Sequence, residues 1–115
     1  MDSGTVEGKM ATSILLVESR PANPDVVDEF NRWYDEVHLP ELLALDGVVA
    51  ARRYAPTEEG DPYLAVYELE GDPKAVIASF GAAATDGRLT MSDAMQMDPQ
   101  PKLRVMQLIA ATAAG

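Results

Sequence analysis

A chain of 115 residues with 19 acidic against 9 basic side chains, a formal charge of −10, can build one domain with a modest core. That charge works against nucleic-acid or anionic-membrane partners, which reward clustered Lys and Arg. The absence of cysteine removes disulfide frameworks, thiolate nucleophiles and cysteine-ligated zinc. No apolar run approaches the roughly 18 residues of a membrane span, and no signal-peptide pattern opens the chain, so a soluble, cytoplasmic protein is expected.

Residues 1–11 are polar and Gly-containing and read as a mobile leader before a single domain over 12–112. The run Ser13-Ile-Leu-Leu-Val-Glu18 is short, apolar and partly β-branched, which predicts a strand buried on both faces. Asn23-Pro24-Asp25 then supplies a capping side chain followed by Pro at the first helical position. Val26, Phe30, Trp33 and Val37 recur at helical spacing as the core stripe, and Asn31, Tyr34 and His38 line its flank. Asp28, Glu29, Arg32, Asp35 and Glu36 take the solvent side. Pro40 disfavours helical geometry at Leu39, so the helix is expected to kink or stop near His38, with one further turn to Leu45.

Val48–Tyr54 and Tyr63–Leu69 predict a hairpin across the turn residues Pro56–Pro62. Asp72-Pro73 repeats the cap-plus-Pro signal for a shorter helix carrying Val76, Ile77 and Phe80. Residues 85–101, with Met91, Met95 and Met97, predict a turn or short helix, and Lys102–Ala110 a last strand. The order β-α-β-β-α-β is the α+β, ferredoxin-like arrangement: a four-stranded antiparallel sheet with two helices on one face. Apolar residues on both parities of the strands leave a second face to cover, which predicts a homodimer through the sheet faces.

The strand, then F-N-R-W-Y-D-E-V-H-L-P-E-L, then D-G-V-V-A-A-R-R-Y resembles the dimeric α+β barrel superfamily, and within it EthD-like proteins, whose first helix ends in a W/Y-x-x-x-H-x-P type motif. That motif falls on Trp33, Tyr34, His38 and Pro40. The likeness covers residues 12–110 in element order and 30–54 in motif. It implies a ligand site in the cleft between helices and sheet, or inside the barrel. It leaves the reaction open among quinone-forming monooxygenases, isomerases, cyclases and dehydratases.

His38 is the only imidazole, and it suits general acid/base work; its structural alternative is a helix cap or a partner for a buried carbonyl. Tyr34 and Asn31 can hold a substrate oxygen or the imidazole, or serve as a boundary Asn and a core Tyr. Trp33 sits at core spacing. Arg52 and Arg53, adjacent on a strand, must point to opposite faces, and whichever faces the core needs a carboxylate partner or an anionic ligand. Tyr54 and Tyr67 are candidate pocket walls, Met91 and Met95 an adaptable lid or ordinary core filler. Glu41 is within reach of His38 from the next turn. One His with scattered carboxylates gives no metal spacing, and no cofactor motif is present. The expectation is a small cofactor-independent enzyme on an apolar, oxygenated ring compound, of isomerase, dehydratase/cyclase or cofactor-free monooxygenase type, with His38 as general acid/base. The alternative is a dimer that binds a small hydrophobic ligand, or is purely structural, with His38 as a cap.

Overall fold

The computed structural model describes residues 12–114; the segment read as a leader lies outside the described residues. Four strands, β1 (Ser13–Ser19), β2 (Val48–Tyr54), β3 (Tyr63–Leu69) and β4 (Lys102–Gln107), form one sheet in the order β2-β3-β1-β4. All three pairings are antiparallel. With a helical segment after β1 and another after β3, this is the ferredoxin-like arrangement of the expected element order.

The first helical segment begins as its sequence dictates: the Asn23 side chain accepts from the Asp25 amide at 2.9 Å, and Pro24 opens a short 3-10 turn, Pro24–Val26. It continues as α1 (Val27–Trp33), a π turn (Tyr34–His38) and α2 (Leu39–Leu43). Of the expected kink or stop near His38, the stop does not occur; the irregularity there is the π turn. Leu39 keeps helical angles (φ −61, ψ −46) although a proline follows it. Its amide donates to the Tyr34 carbonyl, five residues back, so the backbone widens by one residue per turn and passes Pro40 without breaking. Packing of Leu42 and Leu45 beyond the proline outweighs the local preference. Gly47, at φ +92, ends the segment; a Cβ there would also collide with Val76 of the second helix.

That helix, α3 (Pro73–Thr85), is capped by Asp72, whose carboxylate accepts from the Lys74 amide. Both helical segments lie over one sheet face. Leu15, Ala65, Tyr67 and Leu69, which share one strand parity, pack in a single core with Phe30, Trp33, Tyr34, Leu42, Val76 and Ala83. The other parity carries Ile14, Leu16, Leu64 and Val66. The helices leave the β4 edge bare, and all six of its residues are exposed. Residues 86–101 form turns held by short backbone bonds, Ala22 N–H to Ala94 O at 2.6 Å and Gln96 N–H to Arg20 O at 2.8 Å.

Candidate functional site

The π turn decides which side chains meet. Tyr34 follows the buried Phe30 by four residues and so shares its face in regular helix; the extra residue of the π turn brings His38 inward beside it. Tyr34 is 1% exposed and His38 9%, level with Trp33 at 7%. The split between a core stripe and a separate polar flank is therefore corrected: Tyr34 and His38 are part of the core, Val37 is only half-buried and Asn31 stays at the boundary. Trp33 stacks on the imidazole with ring centroids 4.5 Å apart, and Tyr34 meets it edge-on at 5.1 Å.

Such a sandwich strips water from the imidazole and penalises its charged form. Burial lowers the His38 pKa to about 4; Glu41 opposes that shift and Arg53 adds to it. His38 is neutral at pH 7, and its Nδ1 is buried with no hydrogen-bond partner. Glu41 does not orient it. The Glu41 carboxylate instead accepts from both the amide and the hydroxyl of Thr90, each at 2.7 Å, and these bonds hold its pKa below the usual carboxylate range. Trp33 Nε1 donates to the Thr90 carbonyl at 2.7 Å, so one residue of the 86–101 segment is tied to the helix on both sides of His38 in sequence.

Of the two adjacent arginines, Arg53 faces the helices. Its guanidinium lies 4.3 Å from the centre of the Tyr34 ring, with Phe30 and Tyr63 at 5.5 and 5.4 Å. It donates to Asp35 at 2.7 Å and to Asn31 at 2.9 Å, while its Nε has no partner. The carboxylate partner that a buried arginine requires is thus Asp35. Asn31 is committed to Arg53 and not to the imidazole. Tyr67, on β3, is fully buried; its hydroxyl lies beside that of Tyr34 without hydrogen-bond geometry, and burial pushes its pKa far up.

Asn31, Trp33, Tyr34, His38, Arg53 and Tyr67 come together between the helix and the sheet. Three of them carry an unpaired buried polar atom: His38 Nδ1, Arg53 Nε and Tyr67 Oη. Buried polar atoms are nearly always paired, so three orphans around one tyrosine ring mark this cluster out. Arg52 and Tyr54 point to the opposite sheet face, where Arg52 pairs with Glu68 and its Nε donates to the Tyr54 hydroxyl at 3.2 Å. Met95 is packed in the core and Met91, next to Thr90, is half exposed. Sequence reasoning missed Asp35 and Thr90. Asp35 stands four residues after Asn31, a spacing that could have paired both with a core-facing strand arginine. Nothing in the sequence signals Thr90.

Among the described residues no group of His, Asp and Glu is placed to hold a metal ion, and no helix is long and apolar enough to cross a membrane. No protein-family model matches the chain, and no curated protein does. Among solved structures the chain is similar to the crystal structure of HapK from Hahella chejuensis, at 18% identity and a TM-score of 0.57, covering 90% of this chain and 99% of that one. At that identity the likeness shows a shared fold. It agrees with the α+β, ferredoxin-like architecture read from the strand order.

Proposed function

We propose that the chain is a small cofactor-independent enzyme that moves a proton on an apolar, oxygenated ring compound, with His38 as the general base. The observation that carries this reading is the unpaired Nδ1 of a neutral, buried imidazole, set in a cluster whose Arg53 and Tyr67 also hold unpaired donors. An enolisable ring ketone has the matching needs. Its C–H bond breaks, the proton goes to Nδ1, and the electron pair moves onto the carbonyl oxygen as an enolate. Arg53 and the Tyr67 hydroxyl are the donors for that oxygen, in an environment where such bonds are far stronger than in water. Return of the proton to another carbon gives isomerisation, and its delivery to a departing hydroxide gives dehydration. Tyr67 remains protonated throughout because its pKa lies far above neutrality. The EthD-like motif at Trp33, Tyr34, His38 and Pro40 supports the same class of chemistry.

The working unit is a homodimer formed through the sheet faces. Supporting this, Met106 of β4, opposite Ile14 on the outer face, and Leu108 beyond it are 47% and 51% exposed, and Leu103 and Val105 at the helix-side edge of β4 are left equally bare. A second reading, a dimer that binds a small apolar ligand without turnover, is favoured by the enclosure of the three orphan atoms. Turnover of a panel of cyclic enones and β-hydroxy ketones separates the two. On the enzymatic reading His38→Gln lowers kcat by about 10²- to 10⁴-fold with ligand binding retained. Turnover undiminished in that variant removes His38 from the chemistry.

A further inference from the structure

Beside the buried cluster runs an open groove of about 490 Å³, lined by Asn31, Asp35, Leu39, Ala51, Arg53 and Tyr63 among others. Its volume falls in the range of small-molecule sites. At its polar end the Arg53 side chain is only 10% exposed, yet its one anionic partner, Asp35, is 60% exposed. A purely structural arginine at this depth would be expected to have a counter-ion buried with it. Here the cation is enclosed by three aromatic rings and held by Asn31, while the anion that pairs with it sits out in solvent.

The two outward nitrogens of Arg53 donate to two oxygens, Asp35 Oδ1 at 2.7 Å and Asn31 Oδ1 at 2.9 Å, which come from different residues. A single carboxylate would satisfy both nitrogens at once, in the bidentate geometry that a guanidinium prefers. We infer that this groove binds a small molecule bearing a carboxylate on an aromatic ring, and that Asp35 holds the place of the ligand's carboxylate in the free protein. The ring lies against Leu39, Ala51 and Tyr63, and Asp35 turns out into water when the ligand enters. Arg52 and Tyr54 also line this groove, but Arg52 is 47% exposed, pairs with the part-buried Glu68, and has no enclosure of ring faces. This inference rests on the enzymatic reading only for which end of the molecule meets His38. The carboxylate anchors at the two outer nitrogens of Arg53, which leaves its unpaired Nε for the carbonyl oxygen on the His38 side.

Calorimetric titration of the full chain with salicylate, and with its uncharged analogue salicylamide, tests the inference. Wild-type protein should bind salicylate more tightly than salicylamide. Removing the competing anion with Asp35→Asn should tighten salicylate binding about threefold to tenfold and leave salicylamide unchanged. Amide resonances of Leu39, Ala51 and Tyr63 should be the ones that salicylate perturbs. Equal affinity for the two compounds in wild-type protein overturns the inference, as does Asp35→Asn leaving salicylate binding unchanged or weaker. Binding here needs no turnover. Salicylate binding together with no turnover of the enone and hydroxy-ketone panel would therefore uphold this site and defeat the enzymatic reading, while loss of the charge preference would leave the His38 test standing.

Discussion

A single imidazole pressed between Trp33 and Tyr34 ties stability to acidity. In the unfolded chain His38 takes up its proton near its ordinary value of 6.5; in the folded protein it does so only at about 4, because burial disfavours the cation. Between those values the unfolded state binds more protons, so the stability gained by a neutral, buried imidazole is complete above pH 6.5 and is lost as pH falls toward 4. The loss is on the order of 3 kcal/mol. Urea midpoints measured across this window should fall steeply in wild-type protein and stay nearly flat in His38→Gln. A parallel decline in both would assign the acid sensitivity to the carboxylates instead. Much of this residue-level picture was legible beforehand. His38 stands out as the only imidazole and the opposed directions of Arg52 and Arg53 follow from strand alternation, whereas helical spacing places Tyr34 and His38 on a flank and not in the core where they lie. That Arg53 was the inward one depended on the register of β2 against β3, which no local pattern fixes.

The π turn is what makes a site out of a helix. One extra residue between Tyr34 and His38 lets Phe30, Trp33, Tyr34, His38 and Leu42 all face the sheet, more than one α-helical stripe can hold. Removal of one residue from such a turn restores a plain α-helix and leaves the flanking segments in phase. Deleting the exposed Glu36 should therefore yield a folded protein, by circular dichroism and a cooperative urea transition. The Tyr34–His38 packing should be lost and the His38 pKa should return toward 6.5. A variant that unfolds outright would show that the turn is needed for the fold and not specifically for the site. Here the sequence misled for an identifiable reason. The local effect of Pro40 on Leu39 favours a break, whereas the buried Leu42 and Leu45 beyond it hold the helix on course. The strands β2 and β3 were legible to their ends, because turn residues bound them closely. Residues 86–101 were not, since their structure comes from long-range bonds to Trp33, Glu41, Arg20 and Ala22 that leave no periodic trace.

At the scale of the whole molecule, the helices cover one sheet face and leave β4 and the other face to be buried elsewhere. Alternation of apolar residues on both parities announced this imbalance in the sequence, and the proposed homodimer is its economical resolution. Leu16 lies near the middle of the open face, opposite Val66 and Arg104. Light scattering should give about twice the 12.4 kDa chain mass for the wild type and the chain mass for Leu16→Lys, with both folded. A wild-type particle of single-chain mass at micromolar concentration would remove the dimer. The ferredoxin-like architecture, shared with HapK, is compatible with many chemistries, so function has to be argued from the cluster around Tyr34 and not from the fold.

Because His38 is the only histidine, its imidazole signals stand alone in a nitrogen-detected magnetic resonance spectrum. Following them through an acid titration, with and without an aromatic ketone, tests most directly whether a buried neutral base waits at this site. The free protein should show a pKa of about 4 and an unprotonated ring nitrogen at neutral pH, and the imidazole signals should shift when the ketone is added. An imidazole that titrates near 6.5 and does not respond to the ketone would contradict it.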